Sequence, residues 1–253
     1  MRKISIIVSK YDMEDINSFI KKYHSSMMEY SDNKWYFMSK FKDNPEEINF
    51  NIQVLDFNQL NEEDILKHME INILKATEIA KKISTNQKYS DDFILVNEDH
   101  AVIDKIRNHL IKFQYEKNWS IIDYYADIFS TLLMSHLFKN GNKRFAYSFL
   151  RVLMNRSGFY VKWTYYPYNI DLLDKMNNSI EEKIACFEVC LSNRSTQDSI
   201  CTLEQQQLEE NETNREYCLS KLQKYKNEDI KTRKEMVKNE IKEWIKELIC
   251  ISY

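Results

Sequence analysis

The sequence predicts a mainly α fold that follows a smaller N-terminal α/β segment, and three observations predict it. From about residue 100 onward, apolar residues recur at helical spacing with few interruptions. Over the first sixty residues, short apolar or alternating runs are mixed with a single helical stretch. Glycine and proline are nearly absent, two of each in 253 residues, where average usage would put about 18 glycines. The two glycines, Gly141 and Gly158, therefore mark places where the backbone needs a positive φ or a close approach.

Taken in order, Ile4 to Val8 reads as a short strand and Asp12 to Met28 as a helix. Lys34 to Met38 and Ile48 to Leu55 read as strands, the second with clean alternation. Pro45 and the Asp43-Asn44 pair before it suit the turn between them. A helix follows from about Glu62 to Ile83, with apolar positions at Ile65, Met69, Ile73, Ala76, Ile79 and Ala80. Ser84 to Asp92 is the most loop-like stretch before residue 100.

Ala101 to Tyr115 is the next helix and Ser120 to Ser135 the one after. In the latter, Ile121, Tyr125, Ile128, Leu132 and Ser135 share a face that Ile122, Phe129 and Leu133 widen. So broad an apolar face belongs inside an all-α core. A third helix runs from Asn142 to about Arg156 with a stripe of Phe145, Ala146, Phe149, Leu150 and Leu153, and Gly158 suits its left-handed stop. Residues 161–193 hold an aromatic connector, Trp163 to Tyr168 around Pro167, and one or two more helices. Ser195 to Asp198 is a polar break. Near the end, Val237, Ile241, Trp244, Ile245 and Leu248 line one face of an amphipathic helix, which needs either its own core or another subunit to cover it. These features divide the chain into an N-terminal α/β segment (1–60), a helical core (61–200) and a charged helical tail (201–253).

Composition excludes several classes. A net charge of −3 carries no electrostatic footprint for nucleic acid or an anionic membrane surface. No apolar run approaches a membrane span, and the apolar stretch after Met1 is too short for a signal peptide. Five cysteines (Cys186, Cys190, Cys201, Cys218 and Cys250) lack Cys-x-x-Cys spacing, so zinc and a disulfide framework are poor readings. Cys186 and Cys190 fit an apolar helical pattern as core residues. Reduced thiols fit a cytoplasmic protein, or one acting inside a host cytosol.

The chemistry concentrates in Ser135-His136-Leu137-Phe138-Lys139-Asn140-Gly141-Asn142-Lys143-Arg144. A histidine ends one helix and a short glycine-containing loop feeds the next. A helix N-terminus offers unpaired N–H groups and the positive end of a dipole to an anion. Gly141 lets the backbone approach that anion, while Lys143 and Arg144 add charge, the arginine with two-pronged geometry for phosphate. His136, across the loop, is the nearby side chain suited to general-base work. A base beside a phosphate cradle suggests phosphoryl or nucleotidyl transfer to a hydroxyl.

The run His-x-Phe-x-x-Gly-Asn-Lys-Arg resembles the signature of the Fic/Doc (Fido) family, and its flanking helices resemble the family's over residues 90–195. The resemblance implies a helical bundle with a small β-hairpin flap, for which Phe93-Ile94-Leu95-Val96 is the candidate. It implies a transferase moving AMP or phosphate from ATP, or another nucleoside triphosphate, to a Ser, Thr or Tyr hydroxyl of a target protein, as a toxin or effector. His136 would be the base; Phe138, Lys139, Asn140, Gly141, Asn142 and Lys143 would cradle phosphate, and Arg144 would bind the redistributed charge. Lys143, and Tyr147 in place of a second arginine, resemble the Doc branch, whose type member is a kinase.

The family's metal-binding carboxylate falls on Asn140, leaving three readings: weakened Mg²⁺ use, metal-independent transfer, or a degenerate site serving as a nucleotide-binding or protein-interaction module. The family's autoinhibitory helix motif is not matched cleanly; Ser25 to Glu29 has the spacing but Tyr30 follows. A separate antitoxin, or a partner subunit on the helical tail, is compatible with that.

Overall fold

The computed structural model describes residues 1–38, 44–83, 93–96, 101–162, 170–205 and 212–251. The N-terminal segment folds as a four-stranded sheet in the order β1-β4-β3-β2. β1 (Arg2–Ser9) runs parallel to β4 (Glu46–Leu55), and β4 pairs antiparallel with β3 (Lys34–Phe37), which pairs with β2 (Met28–Ser31). Alternation explains the buried face: Ile4, Ile6 and Val8 of β1 and Ile48 of β4 turn inward, while Lys3, Ser5 and Asn49 stay exposed.

The expected helix from Asp12 to Met28 is corrected. A 3₁₀ turn spans Asp12–Asp15, and α1 covers only Ile16–Tyr23. His24 is already extended, and Met28 opens β2, so Ser25 to Glu29 runs into a strand rather than a helix. β2 turns back into β3 through Asp32 and Asn33, both in left-handed conformation (φ 50° and 60°), a two-residue turn that suits these short polar side chains. Pairing with β3 satisfies the inner side of the β2 backbone, and Met28 is buried opposite Phe37. Periodicity alone could not set that long-range gain against local helix propensity.

The helical part contains α2 (Glu62–Ile83), α3 (Ala101–Tyr115), α4 (Ile121–Met134), α5 (Asn142–Arg156), α6 (Ile170–Leu191), α7 (Thr196–Gln205), α8 (Glu212–Lys224) and α9 (Ile230–Leu248). β5 (Phe159–Val161) and β6 (Ile249–Ile251) form a separate antiparallel pair. The mainly α class is therefore as expected. The expected polar break falls at residues 192–195, between α6 and α7, and Ser195 also caps α7: its Oγ accepts the Asp198 N–H at 3.0 Å. The expected loop at Ser84–Asp92 and the aromatic connector at Trp163–Tyr168 lie outside the described residues. Cys186 and Cys190 are core residues, with sulfurs 3.9 Å apart. Among the described residues, no helix is long and apolar enough to cross a membrane.

α4 is the centre of the core, with residues from Ile121 to Leu133 buried on nearly every side. Ser120 and Asp123 form a reciprocal cap at its start, and the buried Asp12 carboxylate accepts the Ile121 N–H at 2.9 Å. α9 lies against α4. Val237, Ile241, Trp244, Ile245 and Leu248 are buried, and the Trp244 ring meets Phe129 at 5.7 Å and Phe187 at 5.4 Å. The surface that this helix needs is the chain's own core.

Gly158 follows α5 with φ +81°, and a Cβ there would stand 2.2 Å from the Ser5 carbonyl oxygen. Beside it, the Ile7 N–H donates to Ser157 O at 2.9 Å. The end of α5 thus rests on the β1 backbone, and only glycine fits.

Asp127, halfway along α4, ties three helices together. Its Oδ2 accepts from His109 Nδ1 of α3 at 2.6 Å, and its Oδ1 meets Lys112 of α3 at 3.0 Å and Lys238 of α9 at 3.2 Å. Burial opposes the charge, but the His109 hydrogen bond and the neighbouring cations outweigh it and hold the carboxyl well below the usual carboxylate range. Removing one member of such a cluster strands the others. Asp127→Asn should lower stability by about 2–4 kcal/mol, a value reduced because Lys112 is partly exposed. Because the folded carboxyl titrates below its unfolded value of about 3.9, its contribution is complete above about pH 5 and fades as pH falls below that. Urea midpoints measured across this range should drop more steeply for wild type than for the variant. Parallel curves would show that Asp127 carries no such linkage.

Candidate active site

The site is built where α4 leaves the core. Ser135 Oγ donates to Thr131 O at 2.5 Å, closing the last turn. His136 then takes φ +42°, a left-handed conformation that costs a non-glycine residue roughly 1–2 kcal/mol. This reversal throws its imidazole into solvent, and among the described residues it has no hydrogen-bond partner. Leu137 and Phe138 return inward and are buried. The Phe138 ring sits 5.0 Å from that of Phe145 and 5.7 Å from that of Phe93.

Asn142 fixes the loop. Its Oδ1 accepts the Phe138 N–H at 2.8 Å, and its Nδ2 donates to the Phe138 carbonyl at 2.6 Å. One side chain therefore clamps both polar groups of one residue, which needs an amide carrying a donor and an acceptor. Gly141 stands before α5 with φ +94°, and its carbonyl accepts the Phe145 N–H at 2.9 Å. The first-turn N–H groups of α5 have no acceptor within the helix.

Phe93–Val96, the expected flap, lies against this loop. The Phe93 N–H donates to Asn140 O at 3.0 Å, the Lys139 N–H to Ile94 O at 2.8 Å and the Val96 N–H to Leu137 O at 2.9 Å. Leu95 stands opposite Phe138 in an antiparallel bridge. Phe93 itself has φ +61°.

The structure thus brings together the loop from Phe138 to Asn142 and the first turn of α5 carrying Lys143 and Arg144, with His136 at the other end of the loop. Two side chains are engaged in ways that the sequence did not indicate. Lys143 Nζ pairs with Glu188 Oε2 of α6 at 3.2 Å, and the Arg144 guanidinium lies 5.1 Å from the Phe93 ring centroid. Nothing in the local sequence signals Glu188. Phe93 was legible as strand, but its seat on Gly141 was not.

Asn140 Oδ1 accepts the Gly141 N–H at 2.8 Å, so the amide oxygen is turned into its own loop. Among the described residues no three His, Cys, Asp or Glu side chains stand close enough to hold a metal ion. This donor set does not fit a Mg²⁺ held by the protein.

A cavity of about 270 Å³ lies elsewhere, between α3, α4 and α9, with Lys112, Trp119, Asp123, Asp127, Lys238 and Lys242 in its wall. Its lysines are met by carboxylates of the same wall, Lys242 by Asp123 at 2.7 Å. It contains no residue of the His136–Arg144 segment.

Comparison with protein-family models, curated proteins and solved structures finds no match to this chain.

Asn142→Asp tests the clamp. The variant keeps an acceptor for the Phe138 N–H but sets a carboxylate oxygen against the Phe138 carbonyl. Stability in urea should fall by about 1–3 kcal/mol, with faster amide exchange across the Phe138–Gly141 loop. A wild-type midpoint and exchange pattern would show that the amide does not hold the loop.

Proposed function

We propose that this chain is a Fic/Doc-type transferase that moves AMP or phosphate from a nucleoside triphosphate to a hydroxyl of a target protein. The observation that carries the reading is the His136–loop–α5 arrangement. A solvent-facing histidine at the end of a buried helix is joined, through a loop hinged at a left-handed glycine, to a helix start bearing Arg144. In this reading His136 takes the proton of the target hydroxyl as its oxygen attacks phosphorus. The new P–O bond forms as the bond to the leaving group breaks. Attack at the α-phosphorus transfers AMP and releases pyrophosphate; attack at the γ-phosphorus transfers phosphate and releases the diphosphate. Either way, negative charge moves onto the leaving oxygens, where the first-turn N–H groups of α5 and Arg144 would stabilise it. The protein would act in a cytosol, where free thiols such as its cysteines persist. A target protein supplies the hydroxyl, and an antitoxin or partner subunit remains a compatible regulator.

A second reading, a nucleotide-binding or protein-interaction module without turnover, is favoured by the inward turn of Asn140 and by the pairing of Lys143 with Glu188.

ATP labelled at the α- or γ-phosphorus, incubated with the protein and host extract, separates the two readings. The transferase should label a protein band, with the position of the label naming the transferred group. His136→Ala should reduce labelling by a factor of about 100 or more with ATP affinity retained. Arg144→Ala should weaken ATP binding by about 1.5–3 kcal/mol. ATP binding without labelling supports the module. Unchanged labelling by a folded His136→Ala protein overturns the base assignment.

A further inference from the structure

The segment Phe93–Val96 covers the loop that the proposed reaction needs open, and this inference rests on that reading of the site. A Cβ added to Gly141 would stand 2.8 Å from Cε1, 3.0 Å from Cζ and 3.2 Å from Cδ1 of Phe93. The phenyl ring therefore fills the space directly over Gly141, beside the start of α5. The segment also consumes a donor of the loop, because the Lys139 N–H is spent on Ile94 O. The Arg144 guanidinium also lies over the same ring, 5.1 Å from its centroid. One aromatic side chain thus touches both features to which phosphate binding is assigned.

The anchoring is directional. Phe93 and Leu95 turn toward the loop, while Ile94 and Val96 are exposed. Phe93 holds a left-handed φ of +61°, unfavourable for an aromatic residue, and that conformation puts its ring over Gly141 while its N–H reaches Asn140 O. We infer that Phe93–Val96 is an autoinhibitory plug: the ring of Phe93 and a bound polyphosphate exclude one another, so ligand entry requires the ring to leave Gly141.

Calorimetric titration with ATP of wild type and Phe93→Asn tests the plug. Asparagine tolerates the left-handed conformation, so the backbone pairing is kept while the ring is removed. The variant should bind ATP at least tenfold more tightly than wild type. Hydrogen exchange on unmodified protein gives a second measurement should the variant fail to fold. Saturating ATP should speed exchange at the Phe93, Val96 and Lys139 amides, whose partners lie across the plug. Equal or weaker binding by folded Phe93→Asn, with wild type binding ATP, overturns the plug and leaves the proposed function standing. Slower exchange at those three amides with ATP does the same. No ATP binding by either protein overturns the plug together with the reading of the site.

Discussion

Everything in this molecule is arranged around the burial of α4. On a helix enclosed on nearly every side, an unpaired buried charge is costly. The capping and acidic positions of α4 are accordingly paired. The capping residues Ser120 and Asp123 close its start, Asp12 ties that start to the β1 side of the sheet, and Asp127 draws in α3 and α9. The enclosure leaves one exit, the C-terminal end, and His136 emerges there. A residue at that point is carried by the enclosed helix while remaining open to solvent.

The loop beyond His136 depends on backbone conformations rather than on side-chain bulk. Positive φ recurs at His136, at Gly141 and, across the bridge, at Phe93. Strain of this kind persists only where surrounding contacts over-determine it. Here they are the two-way clamp of Asn142 on Phe138 and the three backbone hydrogen bonds to Phe93–Val96. A loop held this way keeps one arrangement, in which the Lys139 N–H is spent on Ile94 O. The same rigidity makes the placement of Phe93 consequential, because a fixed loop cannot flex around an obstructing ring.

The charged tail illustrates how misleading average polarity can be. α9 alternates charge with an apolar stripe, and both are used internally: the stripe packs on Phe129 and Phe187, and Lys238 and Lys242 pair with Asp127 and Asp123. β6 then carries the chain across to β5, just beyond Gly158. The tail therefore helps support the same helix that presents His136.

The sequence by itself determined the parts whose cause is local. The helices from Glu62 to Ile83 and from Ala101 to Arg156 follow from 3.6-residue periodicity. The two glycines announced two positive-φ positions because nothing else in the chain is glycine, and the His136–Arg144 run stood out as a candidate site for the same local reason. Only the tertiary structure decided the rest. Met28 became strand because Phe37 and the β3 backbone offered partners that a helix would have wasted. Lys143 turned to Glu188, Asn140 turned to its own loop, and Phe93 came to lie on Gly141. The contacts of Met28, Lys143 and Phe93 join segments separated along the chain, and Asn140 was turned by the shape of its loop. Periodicity and propensity describe a residue's neighbours in sequence, whereas these outcomes were settled by competition among neighbours in space.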